Sequence, residues 1–177
     1  MQRRNLIVGV GALGGLAMAG FGLPLVWARD GTPVAKGAQA PYDLDAEGWQ
    51  SRLSKAAYDV LFEHDTERPG TSPLDRETRD GQFICAACYL PLFSSAHKYD
   101  SGTGWPSFWQ PISDEVLGTQ TDFKLILPRT EYHCIRCKGH QGHVFDDGPE
   151  PTGKRYCNNG VALQFVPEGE ALPEWTA

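Results

Sequence analysis

The sequence lacks an excess of basic residues, since 16 lysines and arginines stand against 22 aspartates and glutamates and give a formal net charge of −6 at pH 7. Proteins that bind nucleic acid or an anionic membrane surface usually present clustered positive charge. The charge balance therefore speaks against both partners and favours small-molecule or peptide chemistry. The 177 residues also lack an internal repeat, so we expect one domain with its own core, plus a tail.

Charged residues are absent from Leu6 to Ala28, directly after Arg3 and Arg4. A basic start followed by an apolar run is typical of an export signal, and the two arginines look like those of a twin-arginine signal. Residues 1–28 are therefore expected to direct the folded protein to the periplasm and to be cleaved after Ala28. The alternative is an uncleaved membrane anchor, because the run is also long enough to cross a bilayer.

The remaining chain divides into a linker and a folded domain. Residues 29–43 are rich in Gly, Ala and Pro and predict a flexible linker, which leaves 44–177 for the domain. Ser54 can cap a short helix, and Leu53 before it can pack onto Tyr58. Short β-type runs separated by turns then favour an antiparallel, mainly β fold. These runs are Gln82–Cys85, Phe123–Leu127, Tyr132–Ile135 and Val161–Val166.

Cysteine is scarce, and its number is odd. Four of the five cysteines form two C-x-x-C motifs, with Cys85 and Cys88 in the first and Cys134 and Cys137 in the second. Two such motifs supply four thiolates for a tetrahedral zinc ion and leave no position for water, so the predicted metal is structural. Two disulfides or a C-x-x-C redox couple are the alternatives in an exported protein. Neither motif opens a helix in a β-α-β pattern, which argues against the redox couple.

The fifth cysteine, Cys157, has no partner once the other four bind metal. A lone cysteine most often acts as a small buried hydrophobic side chain. The neighbours of Cys157 are polar, however, and in strand geometry Arg155, Cys157 and Asn159 lie on one face. An arginine this close lowers the pKa of a thiol, so we expect a reactive cysteine.

Two further groups of residues suit a reactive thiol. His140 and His143 follow the second cysteine motif, and imidazole is the side chain best able to move a proton near neutral pH. Extra zinc ligands or surface residues are their alternative roles. The loop 101–109 holds Trp105 and Phe108 among glycines and a proline, and these rings either join the core or line a small apolar pocket.

Several long motifs also occur in a fixed order. They are TERPGTSPL (66–74), CAACYLPLFSS (85–95), KYDSGTGWPSFW (98–109), the second cysteine motif, and GHVFDDGPEPTGKRYCNNGVALQF (142–165). In these motifs the chain from about Trp49 to Phe165 resembles the B-type methionine sulfoxide reductases, which reduce the R epimer of methionine sulfoxide. The resemblance implies two antiparallel sheets, one structural zinc per chain and catalysis by the cysteine of the R-Y-C motif, Cys157.

The resemblance also implies the reaction at the sulfur. Cys157 would attack the sulfoxide sulfur and become a sulfenic acid as methionine is released. His143, His140 and Asn159 match polar groups that surround the substrate oxygen, and one imidazole would donate the proton. Oxidised methionine in proteins is the expected substrate.

Other matched residues would organise the site or bind the substrate. Arg155 and Asp147 match the organising residues, and Trp105 matches the indole against which the substrate methyl group packs. Phe108 is expected beside it in the substrate pocket.

One position departs from many relatives of this kind. Thr103 stands in the loop that often carries a second, resolving cysteine. The sulfenic acid must then be reduced by an external thiol, such as a thioredoxin-like protein, or by a zinc-site cysteine that leaves its metal. Two other classes of function stay open from the residues alone: a non-catalytic zinc-ribbon binding module, and another thiol-based redox enzyme.

Overall fold

The computed structural model describes residues 42–123 and 128–176, together with the backbone of two short paired strands nearer the N-terminus. Contacts divide the chain into two units, Met1–Ala38 and Gln39–Ala177. The predicted signal and linker lie largely outside the described residues. Within the described ranges, every helix is too short or too polar to cross a lipid bilayer.

Two helices open the larger unit, α1 (Ala46–Arg52) and α2 (Lys55–Glu63). Ser54 caps α2 through its side-chain oxygen, as its position in the sequence predicts. Trp49 of α1 stacks on Phe62 of α2 with 4.9 Å between the ring centroids. No sequence signal predicts α1, because Trp49 is its single buried residue and no apolar periodicity marks it.

The described strands of the larger unit form two antiparallel sheets, as the resemblance implies. The smaller sheet has the order β11-β3-β4 and the larger has the order β5-β6-β10-β9-β8-β7. The strands are β1 (Val26–Trp27) and β2 (Pro33–Val34), which pair only with each other, and β3 (Gly81–Cys85), β4 (Pro91–Ser94), β5 (Lys98–Tyr99), β6 (Ser107–Phe108), β7 (Leu117–Asp122), β8 (Arg129–Cys134), β9 (His140–Phe145), β10 (Arg155–Asn158) and β11 (Leu163–Pro167). Short 3-10 helices lie at Pro73–Arg76, Ser95–His97, Asp114–Val116 and Gly160–Ala162.

The predicted strands agree with these bounds to different degrees. Gln82–Cys85 lies within β3 and is confirmed, and Tyr132–Ile135 overlaps the end of β8. Val161–Val166 starts too early, because the chain first forms the 3-10 helix Gly160–Ala162. Glu67 stabilises that turn, since its carboxylate accepts hydrogen bonds from the first two backbone N–H groups. Most of the Phe123–Leu127 prediction lies outside the described residues.

Aromatic rings from both sheets form the centre of the core. Phe83 of β3 packs edge-on against Phe108 of β6 at 5.0 Å, and Phe93 of β4 stacks on Phe108 at 4.2 Å. All three side chains are fully buried. The expectation that Phe108 contacts a substrate is therefore wrong. Alternation along β6 turns Phe108 to the core, and its neighbour Ser107 faces the other side of the sheet.

Strands β9 and β10 approach each other closely at Gly142. This residue pairs with Asn158, and a Cβ atom built on Gly142 would lie 1.9 Å from the carbonyl oxygen of Cys157. No side chain fits at that distance. Glycine is thus required here by the proximity of the neighbouring backbone.

Gly142→Ala is expected to destabilise the protein by about 2 kcal/mol, because the added carbon overpacks a backbone contact that cannot move without disturbing the sheet. Urea unfolding of the zinc-loaded protein measures the loss. Gly169→Ala is the control, since the added carbon meets nothing within 4 Å and costs only the strain of its φ of 86°, about 1 kcal/mol. Equal losses in the two variants would contradict the clash at Gly142.

Candidate active site and metal centre

A single row of side chains crosses the larger sheet. The register pairs Cys157 of β10 with Ser107 of β6 on one side and with His143 of β9 on the other. Directly paired residues share one face of a sheet, with their Cβ atoms roughly 5 Å apart. The pairing thus brings a thiol and an imidazole side by side. Beyond Ser107 the row continues to Tyr99 of β5. Beyond His143 it continues to Glu131 of β8 and Gln120 of β7.

A pocket of about 260 Å³ lies over the middle of this row. Five of the residues singled out from the sequence line it: Cys157, His143, Asn159, Arg155 and Trp105. Four larger surface cavities, of about 360, 370, 570 and 620 Å³, have neither cysteine nor histidine in their walls. The smaller pocket therefore holds the chemically reactive groups.

The thiol of Cys157 is partly buried at the wall of this pocket. Burial raises its pKa above the ordinary value, and the charge of Arg155 and a hydrogen bond from Thr103 act in the opposite direction without outweighing it. The lowering expected from Arg155 is present, but burial outweighs it, so the pKa of Cys157 is raised overall. Asp147 also offsets the charge of Arg155, since it accepts two hydrogen bonds of 2.8 Å from the guanidinium. Asp147 itself is exposed and does not line the pocket.

Glu67 holds the indole wall of the pocket against the end of β10. Its carbonyl accepts from Trp105 Nε1 at 2.9 Å, and its backbone N–H donates to Asn159 Oδ1 at 3.0 Å. No sequence motif predicts this role for Glu67. Its partners lie 38 and 92 positions away, and no local pattern announces contacts at that range.

His143 is oriented by a carboxylate that the sequence analysis also missed. His143 Nε2 lies 2.8 Å from Asp122 Oδ2, and Arg129 donates to the same oxygen at 2.8 Å. An ionised carboxylate only accepts, so Nε2 of His143 carries the proton in this hydrogen bond. Burial lowers the pKa of His143, and the hydrogen bond to Asp122 opposes that shift. The imidazole is accordingly neutral at neutral pH, with Nδ1 as its acceptor.

His140 lies next to His143, with 5.4 Å between the ring centroids, but it does not line the pocket. Its Nδ1 is 2.7 Å from Glu131 Oε1, and burial lowers its pKa. His64 approaches the same oxygen at 3.3 Å, and Gln120 donates to the other oxygen. These hydrogen bonds account for the cluster of His64, Glu131 and His140 without a metal ion. A contact between His140 and the substrate oxygen would have to pass through His143.

The four remaining cysteines form a second, buried group. Their sulfur atoms lie within 4.8 Å of one another, and the two pairs that join the motifs are 3.6 Å and 3.5 Å apart. A zinc ion with bonds of ~2.3 Å to four sulfurs needs tetrahedral edges of ~3.8 Å. A disulfide needs ~2.05 Å. The geometry fits a metal ion bound by Cys85, Cys88, Cys134 and Cys137.

The two cysteine motifs come from different sheets. The first turns the chain from β3 to β4 in the smaller sheet, and the second turns it from β8 to β9 in the larger sheet. In each turn the residue after the second cysteine has a left-handed backbone, with φ of 60° at Tyr89 and 65° at Lys138. A bound metal would therefore cross-link the two sheets.

Comparison with known proteins agrees with the motifs. A model of the SelR domain family matches residues 53–167. The chain is 47% identical over 122 residues to the peptide methionine sulfoxide reductase MsrB of Leptospira interrogans, covering 69% of this chain and 93% of that protein. It is 46% identical over 137 residues to the protein of the same name in Methanosarcina mazei, and the match covers 77% of this chain and 98% of that protein. The chain belongs to the MsrB family.

The matched MsrB region extends from the residue before the cap of α2 to the end of β11. It contains the whole pocket and all four cysteines of the metal centre. The protein of this name in Hahella chejuensis is 44% identical over 127 residues, covering 71% of this chain and 91% of that one.

Within this MsrB fold, buried polar side chains link the metal centre to the strand of Cys157. Gln141 Nε2 donates to Cys85 Sγ at 3.5 Å, and Gln141 Oε1 accepts from Asn158 at 3.3 Å. Tyr132 donates to the other side of Asn158 at 2.8 Å. Gln141, Asn158 and Tyr132 are completely buried. The residue after Cys157 is thus fixed by the same network that reaches a metal-site sulfur.

Asp122→Asn is expected to lower the pKa of His143 further, because the variant keeps a hydrogen-bond acceptor but removes the negative charge that favours the imidazolium. NMR titration of the imidazole measures the shift. The folded state binds a proton at His143 less readily than the unfolded state does. The free energy of unfolding should therefore fall as the pH drops below the ordinary histidine pKa of about 6.5, and it should fall more in the variant.

Asp146→Asn is the matched control. Asp146 is exposed and pairs with Lys154, away from the imidazole, so this variant should leave the titration of His143 where it is. A pKa of His143 that stays the same or rises in Asp122→Asn would show that Asp122 does not act on this imidazole.

Proposed function

We propose that this protein reduces the R epimer of methionine sulfoxide, mainly within proteins, and that Cys157 is the reacting thiol. Membership of the MsrB family supports the reaction. The observation that carries the site assignment is the direct pairing of Cys157 with His143 beneath a pocket walled by Trp105. The apolar indole suits the methyl group of the substrate.

The protonation states of the site fit this chemistry. The pKa of Cys157 is raised and the pKa of His143 is lowered. Both shifts favour the neutral forms at rest, so a thiol lies beside an uncharged imidazole. His143 Nδ1 takes the thiol proton, and the resulting thiolate attacks the sulfoxide sulfur. Attack forms a bond between the two sulfurs; the sulfur–oxygen bond of the substrate then breaks as the imidazolium returns the proton, and the oxygen leaves as hydroxide. Hydroxide adds to the sulfur of Cys157, and the sulfur–sulfur bond breaks to release the thioether. Thiol and sulfoxide become sulfenic acid and thioether, so protons and electrons balance.

Regeneration needs an external thiol, such as a thioredoxin-like protein. Among the described cysteines, the four besides Cys157 lie together at the metal centre, which supports this proposal. For the location we propose the periplasm. The basic-then-apolar composition of residues 1–28 supports twin-arginine export, and a protein exported with its metal bound would keep four thiols protected from oxidation.

We also propose zinc as the metal ion. Four thiolates at tetrahedral distances are the ligands that structural zinc sites use. Bound there, zinc would cross-link the two sheets and keep no open position for a substrate. Zinc takes no chemical part in the steps proposed at Cys157.

Two alternatives from the sequence can be weighed against the site. A non-catalytic zinc-ribbon module does not account for a thiol and an imidazole paired in one pocket. Another thiol-based redox enzyme uses the same pair on a different oxidant. Faster turnover of hydrogen peroxide than of R-sulfoxide would favour that second class.

Cys134→Ser is expected to abolish zinc binding and to reduce the free energy of unfolding by several kcal/mol, since zinc contributes roughly 10 kcal/mol or more in small modules and less in a larger core. Metal analysis and thermal unfolding are the measurements. Cys157→Ser is the matched control and should retain one zinc per chain. A folded wild-type protein without zinc, or loss of zinc from the control, would overturn the assignment.

The reaction itself is tested by a single turnover. With R-sulfoxide and no reductant, the protein should release one equivalent of methionine and stop as a sulfenic acid on Cys157, which a dimedone trap and mass spectrometry locate. The S epimer should release none. Cys157→Ser should lose even the single turnover, because a hydroxyl is a far poorer nucleophile than a thiolate. A disulfide between Cys157 and a metal-site cysteine would contradict the proposed external reductant.

A further inference from the structure

A set of aromatic side chains packs beside the cysteine motifs and takes no part in the proposed reaction. The ring of Trp175, which follows β11, has its centroid 5.0 Å from that of Tyr42 and 6.1 Å from that of Tyr89. Its third ring partner is Trp49 of α1, at 5.6 Å. Three of these rings lie outside residues 53–167, the range that the SelR family model matches. Membership of the family therefore does not account for the contacts.

Two arginines extend this set in opposite directions. The guanidinium carbon of Arg52 lies 4.6 Å from the centre of the Trp175 ring, and Arg52 also donates to the carbonyl oxygen of Thr176 at 2.8 Å. The guanidinium of Arg136 lies over the ring of Tyr42 at 4.8 Å. A cation over an aromatic face is attracted by the ring electrons, more strongly where water is excluded. Together these side chains form the Trp175 cluster: Tyr42, Trp49, Arg52, Tyr89, Arg136 and Trp175.

The Trp175 cluster reaches both cysteine motifs. Tyr89 directly follows Cys88 at the turn of the first motif, and Arg136 lies between the two cysteines of the second. Arg136 Nη1 also donates to the carbonyl oxygen of Cys88 at 3.1 Å. A side chain of the second motif therefore binds the backbone of the first. The two hairpins that carry the metal ligands are joined by this direct contact between protein groups.

Release of a metal ion from four buried thiolates requires the two hairpins to separate, because a chelator must reach the sulfur atoms and each sheet supplies two of them. Local opening of this kind is opposed by every contact that spans the moving parts. Arg136 spans the hairpins, and the ring of Tyr42 holds its guanidinium in place. Trp175 in turn packs against Tyr42.

We propose that the Trp175 cluster retains the metal ion: it keeps the two cysteine hairpins together and slows the loss of the bound metal. Arg136 is a positioning residue, because it acts on the metal through the backbone of Cys88. Trp175 acts one contact further away, by packing Tyr42 against the Arg136 guanidinium. This role rests on the zinc site proposed above.

The test measures how fast zinc leaves the full-length, zinc-loaded protein in an excess of the coloured chelator 4-(2-pyridylazo)resorcinol. Arg136→Met keeps the length of the side chain but removes its charge and its donors. Zinc release should become about tenfold faster, the size expected when one hydrogen bond and one cation–π contact are lost. Trp175→Ala should speed release several-fold, because Tyr42 loses the ring that packs against it.

Trp175→Phe separates the ring of Trp175 from its polar group. The indole N–H is buried and has no hydrogen-bond partner among the described residues, so its removal costs no hydrogen bond. The phenyl ring still packs against Tyr42, and zinc should leave at close to the wild-type rate. Release as fast as in Trp175→Ala would contradict a role for ring packing.

Arg79→Met is the matched control for Arg136→Met. Arg79 also lies over an aromatic ring, that of Phe165 at 5.0 Å, but its ion-pair partner is Glu77 and not a metal hairpin. Zinc should leave this variant at the wild-type rate. Equal acceleration in the two arginine variants would overturn the proposal.

Trp109→Ala is the matched control for Trp175→Ala. Trp109 packs on His97 with 4.5 Å between the ring centroids, so this variant also loses an indole that contacts a neighbouring ring. Zinc release should again be unchanged. Acceleration as large as in Trp175→Ala would show general loosening of the fold and would overturn the proposal.

Combining Arg136→Met with Trp175→Ala decides whether the cluster acts as one unit. Because Trp175 acts through Arg136, the double variant should release zinc no faster than Arg136→Met alone. Rates that multiply would show two independent effects and contradict the proposal. Circular dichroism and metal analysis confirm that each variant starts folded and loaded, and if Arg136→Met cannot be loaded, the Trp175 variants carry the test.

Zinc release does not depend on sulfoxide reduction. A folded wild-type protein that holds no zinc would refute the proposed metal site and its retention together. Zinc that leaves every variant at the wild-type rate would refute the retention alone and leave the metal site standing.

Discussion

The register between β9 and β10 determines where the reactive groups of the pocket lie. It makes Cys157 and His143 direct neighbours, and because side chains alternate along a strand, a slip of one residue would send one of them to the core face. The close approach at Gly142 admits no side chain, so the glycine has to stay opposite Asn158. A backbone contact thus positions the imidazole beside the thiol. Sheet pairing alone places the thiol and the imidazole side by side, without a hydrogen bond between side chains.

The five cysteines divide between two environments that one sheet connects. Four sulfurs sit at the junction of the two sheets, where a metal would hold the hairpins together, and the fifth lies in a pocket on the larger sheet. Gln141 and Asn158 carry hydrogen bonds from one environment to the other. A change in geometry at the metal centre would therefore shift the backbone beside Cys157. Structural and reactive thiols remain chemically separate although they are mechanically linked.

Local patterns in the sequence predict the parts of the site that depend on spacing. The paired cysteine motifs, and Cys157 left over from them, follow from composition and short-range geometry. Asp122 and Glu67 were missed because each acts through distant pairing, and their own neighbours in sequence give no sign of it. Phe108 was wrongly assigned to the pocket because the loop motif does not reveal which face of β6 it takes. The net pKa shift of Cys157 depends on burial, and burial is a property of the folded chain.

Glu67 joins three segments of the chain through one residue: the loop that begins at Thr66, the indole of Trp105, and the turn at the end of β10. Loosening the backbone at Glu67 would therefore weaken the contacts of all three segments together. A pocket of about 260 Å³ has room for one side chain. The substrate protein must then expose its oxidised side chain. In the proposed reaction, oxidised methionines in flexible or partly unfolded segments would reach Cys157, whereas those in rigid cores would first have to be released by local unfolding of the damaged protein itself.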